Sequence, residues 1–142
     1  LAKMYPEADV PVVQLAIDAS KPLRYHMDLG ARLASLMDED VLIVGSGNVV
    51  HNLRMVAWDG EGKGYDWAHR FDDDVRGVMA SNPATLTEVQ ASADYALAVP
   101  TPDHFYPLAY IAGLASVASA PVTTFAEGCT LGSLSMTSYR VN

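Results

Sequence analysis

Val41-Leu-Ile-Val-Gly45-Ser-Gly-Asn-Val-Val-His51-Asn52 is the stretch on which the fold turns. Val41 to Val44 is short and apolar on both faces, which is what a strand inside a covered sheet needs. Gly45-Ser46-Gly47-Asn48 ends it, and His51 follows at once. Upstream, Val10 to Ile17 is a second near-continuous apolar run and predicts another strand. Between the two, Asp18-Ala-Ser20 reads as a turn and cap, and Pro22 suits the first turn of a helix. That helix is expected to run to about Met37, with Leu29, Leu33, Leu36 and Met37 as its apolar stripe. Strand, helix, strand predicts a right-handed crossover in a parallel or mixed sheet. Ligands in such sheets bind beyond the carboxyl ends of the strands, which is where Gly45 to His51 falls.

Downstream, Asp59 to Tyr65 holds three glycines and reads as a flexible loop. Asp66 opens a helix with Trp67, Phe71, Val75 and Val78 on one face. Its run Asp72-Asp73-Asp74 reads as a solvated face. Pro83 starts a short helix to about Gln90, and Ser92 to Val99 is a connection. Asp103 caps a helix from His104 to about Ala115, apolar nearly all round and therefore buried. Pro121 to Phe125 and Ser133 to Val141 read as closing strands. With no repeat and no linker, residues 1–142 are expected to form a single domain.

Composition narrows the function. A net charge of −8 opposes a nucleic-acid partner, because phosphate binding needs clustered Lys and Arg. No apolar run approaches the roughly 20 residues of a membrane span. One cysteine, Cys129, permits no internal disulfide and fits a reducing cytoplasm, the expected location. The opening Leu1 to Val13 carries no signal-peptide pattern.

Two histidines sit beyond structural punctuation. His51 follows the Gly-Ser-Gly turn. His104 stands in Pro100-Thr-Pro-Asp-His104-Phe-Tyr-Pro107-Leu108, where a double-proline turn opens a helix. Imidazole is the side chain that binds transition metals and moves protons near neutral pH. Either position also suits an ordinary hydrogen-bonded histidine, and His26 and His69, on amphipathic helices, read as structural. The spacing offers no local metal motif, because neither His-x-x-x-His nor Cys-x-x-Cys occurs. Gly45-Ser-Gly47 suggests a nucleotide loop, but Val50 stands where the dinucleotide fingerprint needs its third glycine, and no Gly-Lys-Ser/Thr follows. The turn is expected to use glycine for positive φ and so to orient His51. No Gly-x-Ser-x-Gly elbow supports a serine hydrolase.

Four segments carry a family resemblance. They are Tyr5-Pro-Glu-Ala-Asp-Val-Pro-Val-Val-Gln-Leu15, Gly45 to Arg54, Pro100 to Leu108, and Gly132-Ser-Leu-Ser-Met136. Together, in order and across nearly the whole chain, they resemble the class III extradiol ring-cleavage dioxygenases, most closely the 4,5-DOPA dioxygenase branch. The resemblance implies an α/β fold with a mixed sheet flanked by helices. It implies a non-haem metal, Fe(II) in catalysis with Zn(II) an alternative occupant. The implied chemistry is cleavage of a catechol beside its hydroxyls, with both atoms of dioxygen inserted. The position of His51 implies an acid–base residue or a metal ligand, and that of His104 a metal ligand. Ser46, Asn48 and Tyr106, adjacent to these, are expected to hydrogen-bond substrate. Further ligands are implied from an N-terminal half that this sequence lacks. A partner is therefore expected: that half as a separate or cleaved chain, or an oligomer. The rival from another class is a non-catalytic binding or regulatory module of the same fold.

Overall fold

The computed structural model describes residues 2–118 and 120–142. Four α-helices dominate it: α1 (Leu23–Leu33), α2 (Asp66–Ser81), α3 (Tyr95–Ala98) and α4 (Tyr106–Ala118). Tight 3₁₀ turns at Ala34–Glu39, Leu53–Met55 and Pro83–Ala91 fill connections. The sheet content is two antiparallel ribbons. β1 (Val122–Phe125) pairs with β4 (Ser138–Val141), and β2 (Cys129–Thr130) pairs with β3 (Leu134–Ser135).

The helices follow the sequence closely, and their buried faces are informative. The core stripe of α1 is Leu23, His26, Met27 and Gly30, one face at three- and four-residue spacing. The expected stripe of Leu29, Leu33 and Leu36 lies on the half-buried shoulder of that face, and Met37 is exposed. The reason is α4, which packs on the other side. Gly30 sits against the Tyr110 backbone and Gly113 against the Met27 backbone, each closer than a Cβ would allow. Two glycines thus make a reciprocal notch where the helices cross. His26, read as structural, is fully buried there, with Nδ1 3.0 Å from the Tyr110 hydroxyl and its ring against Tyr106. Its Nε2 has no hydrogen-bond partner among the described residues.

The buried face of α2 is Ala68, Phe71, Asp72, Val75 and Met79. Asp72 therefore departs from the solvated reading of Asp72-Asp73-Asp74. Its carboxylate accepts hydrogen bonds from Ser135 Oγ at 2.5 Å and Thr137 Oγ1 at 2.7 Å. A buried charge persists only when so partnered. The grip also explains why the closing strand expected over Ser133 to Val141 breaks into β3 and β4. Ser135 and Thr137 turn towards α2, and Met136 is left exposed between them.

Two further expectations give way. The loop Asp59 to Tyr65 is not free: Leu131 donates to the Gly60 carbonyl, Gly132 to Lys63, and Tyr65 to Gly132. The strands expected over Val10 to Ile17 and Val41 to Val44 are unpaired, so the crossover between them does not close within the described residues. A strand exists only through its neighbours' hydrogen bonds, and neither run meets one. Val12, Val13, Leu15, Leu42 and Val44 all stand more than half exposed.

Candidate functional site

The two motif histidines, 53 positions apart in sequence, meet in space. The rings of His51 and His104 stack with centroids 3.6 Å apart and planes 15° from parallel. Several backbone bonds bring them together. His51 N donates to the Ala98 carbonyl at 2.9 Å, at the end of α3, and His51 also bridges to Leu134 of β3. Ser135 N donates to Val50 O and Asn52 N to Ser133 O, while the Ser133 hydroxyl donates to Asn52 O at 2.7 Å. The His51 segment is thus held between β3 and α3. His104 lies in the turn two residues before α4. Phe105 beside it is buried in an aromatic cluster with Phe71 and Tyr95.

The Gly-Ser-Gly turn joins the two halves of the pair. Asn48 N donates to the His104 carbonyl at 2.9 Å. Neither Gly45 nor Gly47 has the positive φ expected from sequence. They are glycines because the chain runs against the start of α4. A Cβ on Gly45 would lie 2.8 Å from the Pro107 carbonyl, and one on Gly47 would collide with the His104 carbonyl.

The suggested substrate residues are placed differently from one another. Ser46 is exposed. Asn48 lines the cleft beside His104, but its side-chain amide donates to Ser135 O at 2.8 Å. Tyr106 is buried on the far side, donating its hydroxyl to the Lys21 carbonyl at 2.9 Å. Of the three, only Asn48 therefore lies beside His104 within the cleft.

The local field favours a neutral His51. Burial lowers its pKa below the usual 6.5, and the neighbouring His104 lowers it further, against a weaker pull from Asp103. Asp103 itself is held below the ordinary carboxylate range, chiefly by the Thr101 hydroxyl. Its Oδ2 stands 3.4 Å from His104 Nε2. Two imidazoles are a donor set that suits a transition metal. Among the described residues no third His, Cys, Asp or Glu completes a ligand group with them. The thiol of Cys129 in β2 is buried, and that burial pushes its pKa up to about 12, so it offers no ready thiolate.

Sequence reasoning missed Asp72, Ser133 and Ser135, the polar set that fixes the His51 segment. Asp72 was detectable: it shares the three- and four-residue spacing of Ala68, Phe71, Val75 and Met79.

Residues 1–141 match the family model described as the catalytic LigB subunit of aromatic ring-opening dioxygenase. The chain belongs to this family. Within the LigB family it is 43% identical over 145 residues to the 4,5-DOPA dioxygenase extradiol of Escherichia coli K12, covering 99% of this chain and 53% of that one. The protein of the same name from Beta vulgaris is 37% identical over 117 residues, covering 81% and 43%. A solved structure, that of uncharacterized protein JW3007 from Escherichia coli K12, superposes with a TM-score of 0.90 at 41% identity. It spans 99% of this chain and 59% of the other. The expected LigB-type α/β fold is thereby borne out. The chain spans about half the length of the curated relatives it matches. No helix among the described residues is long and apolar enough to cross a membrane.

Proposed function

We propose that this chain is the His51–His104 portion of an extradiol dioxygenase that opens a catechol such as DOPA with dioxygen. The observation carrying the reading is the stacked histidine pair, with His104 on the wall of a cleft, in a LigB-family chain. His51 and His104 would hold a non-haem metal, Fe(II) as the working ion with Zn(II) as a competitor. When bound, that ion supplies a Lewis-acid and redox centre at which catechol and dioxygen meet. A facial site needs a third protein ligand, so the rest comes from polypeptide outside residues 1–142: the N-terminal half of the same protein or a partner chain.

The chain's own residues would bind and move protons. His104, fixed by the Asn48 N–H on its carbonyl and by the buried Phe105, presents a ring held in place before the metal arrives. Where its ring is not itself a metal ligand, His51, kept neutral by burial, can take a catechol hydroxyl proton at its unprotonated ring nitrogen and return it later. Asn48, between the pair and β3, keeps the turn closed and orders the cleft wall. The proposed compartment is the cytoplasm.

Zn(II) titration by calorimetry tests the pair directly, first on the chain and then on the chain with the unmatched part of the E. coli relative. One site is expected, weakened at least tenfold by His51→Ala or His104→Ala and unchanged by His26→Gln. Ring opening of a catechol under Fe(II) is expected only in the combined preparation. The two-ligand count favours one rival, a non-catalytic binding module. Absence of metal uptake even in the combined preparation would establish that rival instead.

A further inference from the structure

A cleft of about 680 Å³ lies between two backbone edges that, among the described residues, have no strand partner on the side facing it. One wall is Val41 to Val44. Beyond Val41 N, which donates to Leu36 O, the amides of 42–44 make no backbone hydrogen bond among the described residues. The other wall is β4, which lines the cleft along its whole length, whereas β1 contributes only Phe125. β4 pairs with β1 on one side, so its other edge faces the cleft. The register decides which groups point there. Asn142 N donates to Pro121 O, so position 142 faces its partner in a bonded pair. By antiparallel alternation, Arg140 and Ser138 do the same. The N–H and C=O groups of Tyr139 and Val141 therefore point outward, into the cleft. The floor is α4, through Pro107, Leu108, Ile111 and Leu114.

Direction is also fixed. Gly45 lies against Pro107 and Ile111, and Gly47 against His104, so 41–47 runs antiparallel to α4 and towards the histidine pair. β4 begins near that pair, where Asn48 bonds Ser135 O, and runs away from it. The two walls are thus antiparallel to each other. One extended segment could bond to both, parallel to 41–44 and antiparallel to β4. Four residues of strand, at ~3.3 Å rise, ~4.8 Å strand spacing and ~10 Å packing depth, occupy roughly 600–700 Å³. The cleft is large enough to take it.

We infer that this cleft is the seat of a single β-strand from polypeptide outside residues 1–142, inserted between 41–44 and β4 with its carboxyl end at the His51–His104 pair. The occupant is apolar on the side facing α4. Its source is the length that relatives carry beyond this chain: the match covers 53% of the E. coli relative and 59% of the solved structure. With the strand in place, 41–44, the insert and the β4–β1 ribbon form one mixed sheet on α4, an antiparallel edge on a parallel pair.

The inference rests on the reading that other polypeptide completes the site, but its test reads neither metal nor ring cleavage. The chain is mixed with the unmatched part of the E. coli relative, made as a separate polypeptide, and amide hydrogen exchange is followed. Exchange at 42–44 and at Tyr139 and Val141 should slow at least tenfold together. Leu42→Asp, on the exposed wall, should weaken the complex at least tenfold while leaving the isolated chain's melting curve unchanged. No complex, or a complex protecting one wall or neither, overturns the inference. So does protection of both walls in the chain alone, because the occupant is then a second copy of this chain. If both walls are protected but the histidine variants bind Zn(II) normally, the strand seat stands and the metal assignment falls.

Discussion

At the scale of single residues, polar groups on apolar stripes carry the most consequence. His26 is sealed between α1 and α4, and burial lowers its pKa below 6.5. The folded chain therefore keeps it neutral, while the unfolded chain protonates it as pH falls through 6.5. Stability is full above that pH and declines below it, by up to about 1.4 kcal/mol per pH unit, until the folded ring also protonates. Urea unfolding at pH 7.5 and 5.5 should show this loss, and His26→Gln should flatten it. Asp72→Asn should cost about 1.5–3 kcal/mol, since an amide cannot accept on both sides from Ser135 and Thr137. Circular-dichroism melts of that variant give the number. Legibility divides in the same way. His51 and His104 were readable because glycine and proline punctuate the chain next to them. Asp72 was masked by Asp73 and Asp74, which are exposed, although its helical phase sets it apart from both. Tyr106 was named from adjacency alone; a helix turns its neighbours to different sides, and the Tyr106 hydroxyl meets the Lys21 carbonyl.

At the scale of elements, the α1–α4 crossing depends on backbone proximity. Gly30→Ala or Gly113→Ala puts a methyl into the opposing helix and should cost about 1–3 kcal/mol by overpacking. Gly77, exposed on α2 with nothing near it, makes the opposite case. There Gly77→Ala should stabilise by about 0.5–1 kcal/mol through helix propensity alone. Chemical denaturation of the three variants side by side checks both signs. All the long helices were legible, because each buries its own face and closes its own hydrogen bonds. The strands were legible only in part: Pro121 to Phe125 forms β1 and Ser133 to Val141 holds β3 and β4, but elsewhere the bonds depend on partners that sequence does not name. Val10 to Ile17 and Val41 to Val44 have strand composition and no strand neighbour among the described residues. The Ser133 to Val141 run was cut by a tether to a distant helix.

At the scale of the molecule, unpaired apolar backbone dominates the surface. Val13 is 93% exposed and Leu42 62%, in runs whose composition belongs inside a sheet. Concentrated solutions of the chain should self-associate, and Val13→Lys should reduce both association and dye binding to apolar surface. Light scattering reads the first effect, and the stability change should stay within about 0.5 kcal/mol. Cys129 turns the fold into its own clock. It is the one thiol in the chain, lies in the ribbon whose other strand grips the His51 segment, and ionises only near pH 12 while covered. An alkylating reagent therefore reacts only during moments when that ribbon opens. The labelling rate at constant pH counts those openings, and whatever settles on the histidine pair should lengthen the interval between them.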